Sequence, residues 1–286
     1  MVHVLRFLTG ANIWVALAAA CMCLLGFALP FSLYSLRYGG LIFLATLAAY
    51  HYMRLFQHQN GADEANPQRD WERRNPAASL SFLFLGGFLS LAILYRFWPW
   101  RDTLLFLPAA LVTLAYPLGF RFPARGFSSL RSIPGLKLAL VAFVWAYLTI
   151  LLPSWLENRH WSVLAWGDFI LRFLLVAGLT IPFDVRDMHL DPAELKTVPQ
   201  RLGAKLALQT AQAALLLNQL WYVLRFFFLG GDLGQSLAWI LALEIGFWLI
   251  WLLQRRSQPW LVSLWIEAVP LYAVLFWWLA QRSSYF

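Results

Sequence analysis

The chain has 286 residues, of which 61% are hydrophobic and only 13% are charged. A soluble domain carries about 25% charged residues, and the apolar residues here form long runs, so the composition excludes a soluble globular protein and predicts a bilayer as the solvent. The net charge of +8 fits cytoplasmic loops that face anionic lipid, and we predict no nucleic-acid partner.

Apolar segments recur along the whole chain, each near the roughly 20 residues that a bilayer requires. In chain order they are 12–33, 39–56, 78–97, 103–120, 133–152, 163–183, 204–229, 235–254 and 261–281. The predicted fold is therefore all-α, a polytopic membrane helix bundle of about nine transmembrane helices around a central cavity. Residues 1–286 form a single domain in this prediction.

The basic residues predict the orientation of the bundle. Of the 22 Lys and Arg residues, 15 fall on the side of the N-terminus and of the long connections, and 5 fall on the other side. The positive-inside rule makes the first side cytoplasmic. We predict an integral membrane protein, of the bacterial inner-membrane type, with its N-terminus and charged loops in the cytoplasm.

The first charged loop follows the second apolar segment. There His51, Arg54 and His58 are spaced i, i+3 and i+7, which places them on one face of a helix. Arg binds phosphate through bidentate hydrogen bonds, so an anion site that uses Arg54 and the Arg73–Arg74 pair is favoured over a metal site of two histidines. A charged hairpin at the lipid head groups is the alternative.

The segment 182–203 reads PFDVRDMHLDPAELKTVPQRLG and follows an apolar run. Asp184, Asp187 and Asp191 are spaced i, i+3 and i+7 in it, on one face if the helix continues. Three like charges at the end of a membrane helix are costly unless cations share them. Carboxylate oxygens are ligands that Mg²⁺ prefers, with phosphate oxygens completing the shell. A Mg²⁺ site is one interpretation, and a solvated helix end is the other.

Basic residues accompany these acids in the charged loops. Lys137 lies inside an apolar run, where a lysine either snorkels to the interface or points into a polar cavity, and we favour the cavity. The basic residues predicted to bind a phosphate-bearing substrate are Arg54, Arg131, Lys137, Lys196 and Arg201.

The acidic motif resembles that of the UbiA superfamily of intramembrane prenyltransferases. That family carries a DxxDxxxD motif followed by Thr-(Leu/Val)-Pro and Leu-Gly, matched here by Asp184, Asp187 and Asp191, by Thr197–Pro199 and by Leu202–Gly203. The order of apolar segments and charged loops is similar as well.

The resemblance implies an activity for the chain. It implies an enzyme that moves a prenyl group from a prenyl diphosphate to an aromatic or lipid-like hydrophobic acceptor. The three aspartates would be the catalytic residues and Mg²⁺ ligands, and the basic residues would neutralise the departing diphosphate.

The first motif of that family, NDxxDxxxD, is degenerate here. Its aspartate positions fall on His51, Arg54 and His58, so no carboxylate remains. Arg54 could contact the diphosphate directly and replace a metal ion. The departure also supports an alternative, a non-catalytic UbiA-like membrane protein that binds a phosphate-bearing lipid or a partner.

A transporter is a third hypothesis. Arg172, Arg225, Glu244 and Glu267 lie inside predicted spans, and intramembrane charges can mark transport pathways. Structural Glu–Arg pairs between helices explain them better. The Gly86-Gly87 pair is predicted to permit close helix packing.

Overall fold

The chain forms a helical assembly with one short β-hairpin. This computed structural model describes residues 2–28, 30–58, 67–122, 126–129, 133, 135–191, 193–255 and 261–283. Most of these residues are helical, as predicted, and the predicted segments correspond to helices with different ends and several breaks.

In the first half of the chain, the described residues up to Ala115 are mostly helical. Its helices are α1 (Val2–Gly10), α2 (Ile13–Leu24), α3 (Leu33–His58), α4 (Pro67–Arg74), α5 (Pro76–Phe97), α6 (Trp100–Thr103) and α7 (Leu107–Ala115). A 3-10 turn, Leu104–Phe106, joins α6 to α7. The predicted segment 12–33 yields only α2, and Phe31 beyond it has a left-handed backbone with φ 62°, a conformation that does not continue a right-handed helix.

A β-hairpin lies near the connection between the predicted segments 103–120 and 133–152. The all-α prediction had no strand there. Strands β1 (Gly119–Phe122) and β2 (Gly126–Ser129) pair antiparallel, with Gly119 opposite Ser129. The sequence of β1 alternates apolar Phe with basic Arg, the period-2 pattern of a strand. Four residues are too few for that pattern to stand out from a loop.

The second half returns to helices. They are α8 (Leu136–Ala146), α9 (Leu152–Asn158), α10 (Val163–Arg186), α11 (Val198–Leu202), α12 (Ala204–Phe228), α13 (Leu233–Arg255) and α14 (Val269–Ser283). A π-helical turn, Tyr147–Leu151, makes α8 and α9 continuous. A 3-10 turn, Ala193–Leu195, precedes α11, and a second π-helical segment, Leu261–Ile266, precedes α14.

Four helical stretches in the described chain are long and apolar enough to cross a bilayer. They are Pro76–Phe97, Leu136–Asn158, Val163–Arg186 and Leu233–Arg255. Their outer faces expose large apolar side chains such as Phe84 and Phe88, 70% and 68% exposed, which a soluble monomer would not leave in water. The chain is therefore an integral membrane protein, and its orientation stays a prediction.

The longer helices surround a central space. In packing order they are α2, α3, α7, α8, α10, α12, α13 and α14, and α14 packs back against α2 to close the ring. Between the second-half helices lies a core that includes Leu175, Leu215, Trp239 and Leu243. Helix α5 packs outside the ring, against α3. The ring brings the first turn of α8, the end of α10 and the start of α14 to one cavity.

Gly86 sets the distance between α5 and α3. A Cβ on Gly86 would lie 3.0 Å from the carbonyl oxygen of Leu44, whereas a Cβ on Gly87 would have no neighbour within 4 Å. Of the predicted glycine pair, Gly86 therefore permits close helix packing and Gly87 does not contribute to it. We expect Gly86→Val to cost about 1–3 kcal/mol, because overpacking pushes two backbones apart.

Gly87→Val is the matched control, expected to change stability by less than about 0.5 kcal/mol. Thermal unfolding of both variants in detergent measures the difference. Equal midpoints for the two variants would show that Gly86 does not determine the α3–α5 spacing.

Candidate active site

A cavity of about 270 Å³ opens inside the ring of helices. Among the described residues, the charged ones that line it are Arg54, Lys137, Asp184, Arg186, Asp187 and Glu267. Much of the remaining lining is apolar, with side chains such as Met22, Val141, Trp145 and Leu179, and polar residues such as Asn12 and Tyr50 line it as well. A cavity with charged and apolar lining suits an amphiphile that has an anionic head and an apolar tail.

Lys137 joins two of the predicted aspartates. Its Nζ donates to Asp184 Oδ1 at 2.7 Å and to Asp191 Oδ2 at 3.2 Å, and Asp184 is only 2% exposed. The lysine points into the cavity, as predicted. An ammonium between two buried carboxylates satisfies charges that would otherwise be very costly in a low-dielectric site.

The three aspartates do not lie on one continuous helix face. Helix α10 ends at Arg186, and the chain then turns, with the Asp191 amide donating to the Asp187 carbonyl at 2.9 Å. The turn still returns Asp191 to the side of Asp184, where both reach Lys137. The i, i+3, i+7 spacing predicted the proximity of this pair correctly, although the helix does not continue through the motif.

Arg186 holds the middle aspartate. Its Nε and Nη2 donate to the two carboxylate oxygens of Asp187 at 2.7 and 2.8 Å, and its Nη1 donates to Ser263 Oγ at 2.6 Å. Asp187 therefore pairs with Arg186, whereas Asp184 and Asp191 pair with Lys137. The sequence analysis did not assign Arg186 to the site, although its position between two motif aspartates was a usable signal.

The donor set can be tested against Mg²⁺. Among the described residues, no group of three or more His, Cys, Asp or Glu side chains is arranged to hold a metal ion. Asp184 and Asp191 nevertheless converge on one point, the Lys137 ammonium. Two carboxylates plus substrate phosphates are enough for Mg²⁺, so this pair fits the ion if the lysine moves aside. Asp187 as a third ligand stays a prediction.

The degenerate first motif forms a buried polar cluster. His51 is 1% exposed, and its Nδ1 lies 2.8 Å from Ser79 Oγ. Glu72 of α4 accepts from Asn12 Nδ2 at 3.1 Å and pairs with Arg54 Nη1 at 3.1 Å. His51 is thus a hydrogen-bonded core residue in this structure. The sequence analysis missed Glu72, which supplies a carboxylate from the loop beside Arg54.

Two other predicted basic residues lie elsewhere. Lys196 and Arg201 line a second cavity of about 80 Å³, which shares Lys137 and Asp184 with the first. Arg131 lies outside the described residues. Arg73 and Arg74 are exposed and line neither of these two cavities, so their anion site with Arg54 stays a prediction.

Charges deep in the helices are mostly held between neighbouring helices. Arg225 pairs with Asp168, and Arg172 lies over the ring of Trp239, 4.3 Å from its centroid. Glu244 accepts from Gln219 Nε2 at 3.0 Å. Arg225, Arg172 and Glu244 thus have partners other than the Glu–Arg pairs that the sequence suggested, whereas Glu267 lines the first cavity. The transporter hypothesis stays a prediction.

The chain was compared with known families, sequences and structures. No family model matches it, and no curated protein sequence matches it. A UbiA homolog from Archaeoglobus fulgidus, solved bound to GPP and Mg²⁺, superposes with a TM-score of 0.63 at 14% identity, over 96% of this chain and 98% of that one.

A second solved structure is also similar. Digeranylgeranylglyceryl phosphate synthase superposes with a TM-score of 0.52 at 12% identity, over 97% of this chain and 98% of that one. Both likenesses span nearly the full length of each chain. The chain therefore has the fold of the UbiA superfamily, at low sequence identity to the members it superposes on.

Proposed function

We propose that this protein is an intramembrane prenyltransferase, which moves a prenyl group from a prenyl diphosphate to an aromatic or lipid-like acceptor. The observation that carries the proposal is the cavity whose lining combines charged and apolar side chains. The fold likeness to a UbiA homolog bound to GPP and Mg²⁺ adds support. The finer topology, nine spans with the charged loops cytoplasmic, belongs to the same proposal.

The charged side chains of the cavity would receive the diphosphate. Arg54, Lys137 and Arg186 line the cavity, and each can turn from its carboxylate partner toward a phosphate oxygen. Asp184 and Asp191 would hold Mg²⁺, which supplies further positive charge to the phosphate oxygens. Charge placed in advance where negative charge develops in the transition state is the largest catalytic effect available to such a site.

The apolar walls would receive the prenyl chain. In the transfer, the allylic C–O bond breaks, the diphosphate leaves with the electron pair, and the acceptor forms a bond to the same carbon and loses a proton. Met22, Val141 and Leu179 would keep water from the carbocation, and the Trp145 ring in the same wall can stabilise its charge.

A transfer assay tests this proposal. The purified chain would be incubated with farnesyl or geranylgeranyl diphosphate, Mg²⁺ and a panel of quinone precursors, with EDTA in place of Mg²⁺ as the control. We expect a prenylated product that requires Mg²⁺. Absence of both binding and turnover with every donor would rule out the prenyltransferase proposal.

A non-catalytic lipid-binding protein is the second candidate. It is favoured by the degenerate first motif, where Arg54 stands at an aspartate position and pairs with Glu72. That candidate predicts saturable binding of a prenyl diphosphate without product formation. The same assay, read for binding and for turnover separately, distinguishes the two.

A further inference from the structure

The second cavity lies on the other side of the Lys137–Asp184 ion pair. Both residues line the two cavities, so their ion pair forms part of the wall between them. The second cavity has a volume of about 80 Å³, whereas the first has about 270 Å³. It has room for one phosphate group.

The cations of this cavity differ from those of the first. Lys196 and Arg201 make no ion pair with an acid among the described residues, and Arg54, Lys137 and Arg186 in the first cavity all do. The one acid that lines the second cavity, within the described residues, is Asp184, which already binds Lys137. Among the described side chains that line this cavity, the exposed cations Lys196 and Arg201 are therefore not paired with an acid.

The backbone around this cavity favours an anion as well. Gly135, with φ 76°, begins the stretch that runs from Leu136 to Asn158, and no side chain caps that helix start. Arg201 Nη2 lies 3.7 Å from the position that a Cβ on Gly135 would take. A helix start and a guanidinium are together suited to an oxyanion.

Thr197 provides an independent observation. Its side chain is 6% exposed and lines the second cavity. Thr197 is the N-cap of a capping box, in which its side chain accepts from the Gln200 backbone and the Gln200 side chain accepts from Thr197 N at 2.9 Å. The Thr197 hydroxyl proton has no acceptor among the described residues. A buried donor without an acceptor is costly, and a bound oxyanion would accept its hydrogen bond.

From these observations we propose that the second cavity is a phosphate subsite, distinct from the site of the donor diphosphate. Lys196, Arg201 and Thr197 bind one phosphomonoester group there. This group is the head of a phosphate-bearing lipid that serves as the acceptor, an assignment that rests on the proposed function. Lys196 and Arg201 then recognise the acceptor, rather than the donor to which the sequence analysis assigned them.

Titration calorimetry of the full chain in detergent tests the subsite, with inorganic phosphate and the non-hydrolysable geranyl S-thiolodiphosphate as probes. We expect phosphate to bind the wild type and to bind equally well when the analogue is saturating. The Lys196→Gln/Arg201→Gln double variant should weaken phosphate at least about tenfold, because it removes two charged donors, and should leave the analogue's affinity unchanged. Lys205→Gln, an exposed charge that lines neither cavity, is the matched control.

Three results would overturn the subsite: no saturable phosphate binding, competition between phosphate and the analogue, or equal phosphate affinity in the double variant and the wild type. Binding of the analogue without binding of phosphate would reject the subsite and leave the proposed function standing. Binding of phosphate without binding of the analogue would reject the proposed function. Phosphatidic acid in the micelles, compared with phosphatidylcholine, should displace phosphate. Failure to displace it would exclude a lipid head group as the ligand.

Discussion

Replacing Lys137 by methionine is expected to destabilise the protein by about 3–5 kcal/mol. The ammonium donates to Asp184 at 2.7 Å and to Asp191 at 3.2 Å, and methionine would leave two buried carboxylates facing each other without a cation. Thermal unfolding in detergent, in buffer with EDTA, measures the loss. Lys205→Met, on an exposed position, is the matched control and should unfold near the wild-type temperature.

Mg²⁺ should act differently on the two proteins. In the Lys137→Met variant the two carboxylates are free to bind the ion, and ligands that bind only the folded state stabilise it. We expect Mg²⁺ to raise the unfolding temperature of this variant more than that of the wild type. An equal shift in both proteins would show that Asp184 and Asp191 do not converge on a cation site.

Asp184→Asn is expected to lower Mg²⁺-dependent turnover by about 10²–10³-fold, the cost of losing one preorganised charged group at a developing negative charge. Asp184 lines both cavities and binds Lys137. Asp187→Asn should have a smaller effect, because Arg186 holds that carboxylate in a bidentate pair. Kinetics of the purified variants in the transfer assay measure both.

Asp168→Asn is the control for these two variants, since Asp168 pairs with Arg225 and does not line the first cavity. If the wild type shows no turnover, the affinity of each variant for the non-hydrolysable analogue in Mg²⁺ is measured instead. If the Asp184→Asn/Asp187→Asn double variant kept full activity at normal expression, metal-assisted chemistry at this motif would be refuted.

Most of the helical framework can be read from the sequence. Apolar runs of sufficient length gave the places of α5, α10 and α13, because each is a nearly unbroken apolar segment. The predicted span 12–33 was too long, since the chain leaves helical geometry after Leu24. Helices α3 and α12 are less apolar than these three helices, because they carry polar groups such as Arg54 and Gln212.

The acidic residues of the site were predicted from the sequence, but only some of their ion-pair partners were. The spacing of Asp184 and Asp191 in the chain brought them to the same place, and Lys137 was expected in a cavity. Glu72 was missed because an ion-pair partner that depends on tertiary packing leaves no periodic signal. Arg186 was missed although it directly precedes its partner Asp187 in the chain. The degenerate first motif showed that carboxylates were lost, but not that a glutamate from α4 pairs with the arginine there.

The central claim is that the charged lining of the first cavity binds a diphosphate while its apolar lining binds the attached chain. Calorimetric titration of the purified wild-type protein with geranyl S-thiolodiphosphate, in Mg²⁺ and in EDTA, tests it most directly. The account predicts one saturable site, tighter in Mg²⁺ than in EDTA, and tighter for the analogue than for inorganic pyrophosphate, which lacks the apolar chain. No saturable binding in either condition would contradict it.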